Sequence, residues 1–171
     1  MGQGYKAIIL SDDGKIIRTW VDPHEYNNGY KLIEHSYVGN EFVEAVESLI
    51  CPTGIFYKSR IVWAGDYGDS ETGGKNLYEL SYERPISRPH VEDMNQYLYL
   101  VNHTKQEYMY KGPRYSMHCL PLMTAEGNGR GGGDYDGPGM GLIGSWARDV
   151  ISVEKEAPNF IHIPNEFEVY S

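Results

Sequence analysis

The sequence predicts an α+β domain: a mainly antiparallel, twisted sheet built from hairpins and further strands, packed on one principal helix at about residues 40–50, with a long glycine-rich loop. Three observations carry this. Two short apolar runs near the N-terminus flank an Asp-Gly turn, a single stretch has helical spacing, and one segment concentrates glycine so densely that regular structure is excluded there.

The first run, 7–10 (Ala-Ile-Ile-Leu), and the second, 15–21 (Lys-Ile-Ile-Arg-Thr-Trp-Val), are rich in β-branched residues and are separated by Ser11-Asp12-Asp13-Gly14. Asp-Gly supplies the positive φ that a tight hairpin turn demands, so the chain opens with a hairpin. Residues 22–39 carry Pro23, Asn27, Asn28 and Gly29 and read as irregular, with one strand around 30–34. A helix follows. Asn40 caps it, Glu41 sits in the first turn where the dipole favours an anion, and Phe42, Val43, Val46, Leu49 and Ile50 recur at helical spacing until Cys51-Pro52 stops it.

Residues 54–67 alternate as a strand, 65–74 form an acidic glycine-rich loop, and 76–83 form a short helix. A second hairpin joins 97–101 to 106–110. With a symmetric loop, Val101 opposes Gln106, Tyr99 opposes Tyr108 and Tyr97 opposes Tyr110. Four tyrosines then share one face, with Leu98, Leu100 and Met109 on the other. Residues 117–123 read as a strand in which Pro121 forces an edge or a bulge. Residues 127–144 hold nine of the twenty glycines, so that segment is a long loop. Residues 146–154 and 159–169 read as closing strands. No solenoid repeat or interdomain linker is visible, and residues 1–171 are expected to form a single domain.

Composition removes several function classes. The net charge is −9, and the Lys and Arg residues are scattered rather than gathered, which argues against direct nucleic-acid binding and favours a basic protein partner. No apolar run approaches a membrane span, and the N-terminus has no basic-then-apolar signal layout. These features point to a cytoplasmic protein. The two cysteines, Cys51 and Cys119, are too few for a disulfide framework and read as reduced core thiols. Tyrosine makes up 15 of the 22 aromatics, suiting half-buried sheet faces with a hydroxyl at the edge.

The most unusual stretch is 124–137. Gly127-x-Gly129-x-x-Gly132 matches a dinucleotide fingerprint as a string, but glycines and Pro138 follow where a helix is required, and no Lys-Ser or Lys-Thr completes a phosphate loop. What the residues do offer is an anion nest: Gly129, Gly131 and Gly132 present backbone N–H groups, Arg130 adds donors, Asp134 and Tyr135 complete the candidate ligand-binding set, and Tyr99 and Tyr108 are available for stacking. Asp66, Asp134 and Asp136 could instead hold a divalent cation, with His118 or His162 as a base for hydrolysis. His118 and Cys119, as neighbours on a strand, would face opposite ways, so a thiol–imidazole dyad would need Cys119 with His103 or His162. Trp63-Ala64-Gly65-Asp66 and Trp146-Ala147-Arg148-Asp149 share a Trp-Ala-x-Asp pattern, and the two tryptophans read as core anchors.

No assembled catalytic motif or resident cofactor is evident. The reading that leads is therefore a small acidic, non-enzymatic interaction protein, an inhibitor or accessory factor of phage type, docking a basic protein surface. Binding of a small anionic ligand or nucleotide by the glycine-rich loop 127–137 is the alternative, and a divalent-metal-dependent hydrolase a further one.

Overall fold

In the computed structural model, residues 4–81, 86, 91–127 and 137–167 are described. An eight-stranded, mostly antiparallel sheet runs through them in the order β2-β1-β3-β7-β4-β5-β8, with β6 pairing β3 off this path, and four helices accompany it.

The opening hairpin is β1 (Tyr5–Leu10) and β2 (Ile17–Val21), paired from Ala7↔Val21 to Leu10↔Ile17 with a bulge after Ile9. Its turn is closed by the Gly14 N–H donating to the Ser11 carbonyl at 2.8 Å. Gly14 sits at φ +75°, the conformation that explains glycine there. Between β2 and the main helix the expected strand at 30–34 does not form. Pro23–Tyr26 is a 3-10 turn capped by Asp22, and α1 (Leu32–His35) is one helical turn that buries Leu32 and His35. Burial of those two residues on one side of a turn outweighs the weak strand propensity of the segment.

The helix α2 (Glu41–Ile50) is capped as the sequence requires, with Asn40 Oδ1 accepting from the Phe42 and Val43 N–H groups. Its Phe42, Val43, Ala45, Val46, Leu49 and Ile50 pack with Ala7, Ile9, Ile61, Trp63, Leu100, Met109, Ile151 and Val153 in the principal core. A smaller cluster of Ile8, Leu10, Trp20, Val62, Ala64 and Leu77 covers the opposite face of β1–β3.

Strand β3 (Ser59–Gly65) is shorter than the expected 54–67, because the chain turns from residue 52 to 58 and Lys58 adopts φ +57°. After it, α3 (Leu77–Leu80) starts on a capping box: Asn76 and Glu79 satisfy each other's backbone N–H groups. The second hairpin is β4 (Tyr99–Asn102) and β5 (Glu107–Tyr110), paired Tyr99↔Tyr110, Leu100↔Met109, Val101↔Tyr108 and Asn102↔Glu107.

This register is offset by two from the symmetric expectation. The loop sits one residue later in the chain, because Asn102 Oδ1 accepts the Lys105 N–H and Gln106 takes the left-handed φ of +56°. An offset of two preserves faces, so Tyr99, Tyr108 and Tyr110 do share one. Tyr97 does not join them. The 3-10 turn Met94–Gln96 ends at Tyr97 and directs it into the core, leaving Leu98 41% exposed.

The segment expected as a strand at 117–123 is a helix, α4 (Cys119–Met123). His118 caps it by accepting the Leu120 N–H on Nδ1, and Pro121 lies in the first turn, where a missing N–H costs nothing. The two-residue β6 (Ala125–Glu126) then runs parallel to β3. Residues 137–149 are turns and a 3-10 segment, so β7 (Val150–Glu154) begins later than the expected 146. Of the second closing strand expected at 159–169, the described residues 159–167 contain only β8 (Ile161–His162), parallel to β5, and the remainder lies outside the described residues. Trp63 and Trp146 are both buried, and their backbone N–H groups donate to the adjacent carbonyls of Thr124 and Met123. One lies in a strand and the other in a turn, so the shared Trp-Ala pattern does not mark equivalent strand ends. Among the described residues no helix is long and apolar enough to cross a membrane.

Candidate functional site

Alternation along β4 and β7 decides what the outer sheet face carries. Leu100, Ile151 and Val153 point into the core, so Val101, Ser152 and Glu154 point the other way, and His103 follows at the end of β4. The hairpin loop holds His103 in place: its N–H donates to the Val150 carbonyl at 2.8 Å, and Thr104 Oγ1 accepts the Val150 N–H at 2.9 Å. The turn between α2 and β3 delivers Tyr57 and Lys58 to the same face, and the chain after β7 brings Lys155, Glu156 and Phe160. Together they line a groove of about 660 Å³, within the range of small-molecule sites.

One chain of hydrogen bonds organises the groove. Tyr57 donates to Glu154 Oε2 at 2.7 Å, and the fully buried Ser152 hydroxyl donates to the same oxygen at 2.6 Å. A hydroxyl has one proton and a carboxylate only accepts, so His103 Nε2, 2.8 Å from Ser152 Oγ, is the donor in that contact. The neutral His103 ring therefore carries its proton on Nε2 and a lone pair on Nδ1. Among the described residues Nδ1 has no hydrogen-bond partner. Phe160 packs edge-on against the imidazole, centroids 5.9 Å apart.

Burial, with Lys58 adding to it, lowers the His103 pKa against the opposing pull of Glu154, which favours the neutral form. Burial and the bond to Glu154 push the Tyr57 hydroxyl up to about 12, so it remains a donor. The Lys155 ammonium stands 5.6 Å from the Tyr97 ring centroid and that of Lys58 5.1 Å from the Tyr57 ring, two cations on an aromatic rim.

A second polar assembly lies where β3 and β6 end. Arg148, held at φ +68°, donates Nε and Nη2 to Glu126 at 2.6 and 2.8 Å, and Nη1 and Nη2 to Glu71 at 2.8 and 3.1 Å. The two carboxylates raise the pKa of the guanidinium further. This double fork joins the acidic loop 65–74 to Glu126, at the root of the glycine-rich segment. Asp66 lies in the same region, its Oδ1 accepting the Gly4 N–H at 3.0 Å.

The ligand set Gly129, Arg130, Gly131, Gly132, Asp134 and Tyr135, and the metal candidates Asp134 and Asp136, lie outside the described residues. Among the described residues no group of three or more His, Cys, Asp or Glu is arranged to hold a metal ion. Tyr99 and Tyr108 pack edge to face at 5.8 Å, Tyr99 meets Tyr110 at 6.2 Å, and His162 lies on Tyr108 at 5.1 Å.

The thiol–imidazole pairing is not formed. Cys119 is fully buried in α4, and burial pushes its thiol up to about 12, whereas His103 and His162 stand on the outer sheet face. His118 and Cys119 begin a helix rather than lie on a strand. His118 Nδ1 accepts the Leu120 N–H, so its Nε2 donates to Glu47 at 3.2 Å; Lys111 Nζ, 2.6 Å from the other Glu47 oxygen, also bonds the Met94 carbonyl at 3.0 Å. Burial disfavours the ionised Glu47, yet His118 and Lys111 hold its carboxyl below the usual range. This buried trio is satisfied within itself.

Sequence reasoning missed the groove because its polar members come from three separated segments, at 57–58, 103 and 152–160. The available signal was the two-residue spacing of Ser152 and Glu154 on one strand face. No family model, curated protein or solved structure matches the chain.

Proposed function

We propose that this protein binds a small anionic ligand in the outer-face groove between Tyr57, Lys58, His103, Glu154 and Lys155. The observation that carries the reading is the His103 ring, fixed through Ser152 and Glu154 with its Nδ1 lone pair unpartnered, in a groove whose rim carries two ammonium groups. A mostly preformed recess with a few convergent polar groups is how small-ligand sites are built. The class is that of the anionic-ligand alternative, with the site moved from the loop 127–137 to the sheet face.

Thermal melting with inorganic phosphate and a nucleoside 5′-monophosphate tests it. A ligand-dependent rise in Tm that is lost in the double variant Lys58→Ala/Lys155→Ala supports the groove. A rise retained there and lost in Arg130→Ala would return the site to the glycine-rich loop.

A second reading, docking of a basic protein surface, is favoured by the net charge of −9 and by an apolar recess of about 310 Å³ between Ile33, Glu34, Tyr37 and Tyr115, where Ile33 is 44% and Tyr115 60% exposed. It predicts capture of a basic protein at low salt that is lost at high salt and weakened by Tyr115→Ala. Unchanged capture by Tyr115→Ala would remove the recess from this reading.

A further inference from the structure

We propose that ligand binding in this groove is proton-linked, and that the ligand class it takes is a phosphate monoester or orthophosphate bound with one proton shared between a phosphate oxygen and His103 Nδ1. The inference rests on the groove being the ligand site. Its starting point is the tautomer: Ser152 gives its only proton to Glu154, so His103 Nε2 must donate and Nδ1 is left as an acceptor.

An acceptor lone pair in a groove lined by two lysines and two glutamates poses a specific chemical demand. Glu154 is engaged by Tyr57 and Ser152, so Lys58 and Lys155 remain to favour an anion, but a fully deprotonated anion would set its own lone pairs against Nδ1. A carboxylate has no proton to offer at neutral pH. A phosphate monoester has a second ionisation near pH 6, so it can present negative charge and an O–H together. A non-titrating dianion such as sulfate can be accommodated only if His103 itself takes up the proton.

The groups facing the ring set the balance. From β7 and the chain after it come Ser152, Glu154, Lys155 and Glu156; from the turn before β3 come Tyr57 and Lys58; Phe160 closes the apolar side. On its own hairpin the neighbouring Lys105 is engaged by Asp149. Lys58 opposes an imidazolium, and Glu154, reached through Ser152, supports one. Ligand charge therefore tips a ring that is neutral in the free protein.

Isothermal titration with inorganic phosphate, a nucleoside 5′-monophosphate and sulfate, each at pH 6 and pH 8 in two buffers of different ionisation enthalpy, tests this on the full chain. The expected result is uptake of close to one proton with sulfate, and sulfate affinity falling about tenfold per pH unit above the His103 midpoint. Phosphate should bind more tightly than sulfate at pH 7.5. In His103→Gln, which retains an amide donor for Ser152, sulfate binding should lose its proton uptake while Tm in the absence of anion stays within a few degrees.

Ser152→Ala supplies an independent variant: freeing Nε2 from its acceptor should reduce the phosphate-over-sulfate preference. Proton uptake with sulfate that persists in His103→Gln overturns the inference, as does equal, pH-independent binding of phosphate and sulfate. Binding without proton linkage leaves the groove standing and removes only the linkage. Absence of binding by all three anions removes both.

Discussion

His35 makes the fold acid-labile by an amount that the structure allows to be worked out. Its ring is fully buried between α1 and the sheet. Nε2 lies 2.9 Å from the indole Nε1 of Trp63, which can only donate, so Nε2 accepts and Nδ1 carries the proton given to the Gly29 carbonyl at 3.1 Å. Both nitrogens are used by the neutral ring, and protonation would turn Nε2 into a donor facing another donor. Burial lowers the pKa from 6.5 to about 4, against a smaller opposing effect of the Gly29 bond.

The folded-state pKa lies below the unfolded one, so the unfolded chain binds more protons between these values. The stabilisation is fully present above about pH 6.5 and is lost as pH falls toward 4. Integration over the shift makes the loss about 2 kcal/mol by pH 5 and about 3 kcal/mol by pH 4. Because the side chain is fully buried, no solvent screening discounts it. Urea unfolding followed by tryptophan fluorescence at pH 7.5 and pH 5.0 measures the change. For an m-value of about 2 kcal/mol/M, the His35 share is a fall in midpoint of about 1 M.

His118 is also held neutral by burial, against Glu47, and pushes the pH dependence the same way. The decisive quantity is therefore wild type minus His35→Gln, a variant that cannot titrate there. A pH dependence in His35→Gln equal to that of wild type would refute the assignment.

Five further outcomes are expected. Glu47→Gln leaves the Lys111 ammonium buried without its counter-ion and should cost about 3–5 kcal/mol in urea unfolding, whereas Asn40→Ala removes the α2 cap together with the amide bond to Asn28 and should cost about 1–2 kcal/mol. Arg148→Ala loses both carboxylate forks and keeps a side chain at φ +68°, so Arg148→Gly should melt higher than Arg148→Ala although neither reaches wild type. Both cysteines are buried, and neither should react with a disulfide reagent until the chain is unfolded; rapid native-state labelling of Cys119 would contradict its packing. Trp146→Phe should lose the indole bond to Glu107 and empty part of the principal core, lowering stability by about 1–3 kcal/mol.

What could be read in advance was local. The Asp-Gly hairpin, the Asn40 cap and the apolar stripe of α2 depend on interactions within a few residues, and each appears where the sequence predicts it. The errors share a cause as well. Residues 30–34 and 117–123 are short apolar stretches whose periodicity does not separate strand from helix. Burial of Leu32 with His35, and the His118 cap ahead of Pro121, decided for helix. The hairpin register moved by two because a single side-chain bond, Asn102 to Lys105, selected the later loop. Of the candidate site, Tyr99, Tyr108 and Asp66 are described and each is engaged by protein neighbours. The groove that replaces it contains His103, which the sequence marked only as a remote partner for Cys119.

The mixed α and β class, the sites of the first hairpin and of α2, and the charge of −9 are legible in the chain alone, because hydrophobic period, turn chemistry and ionisable side chains are properties of the chain at short range. Long-range packing places β7 between β3 and β4, lets Arg148 join Glu71 to Glu126, and gathers His103, Ser152, Glu154 and Tyr57 into one hydrogen-bonded chain. Those partners are 22 to 97 residues apart in pairs such as Glu126 with Arg148 and Tyr57 with Glu154. Contacts at that separation follow from strand order and register, which are settled by burial of the whole core rather than by any local signal.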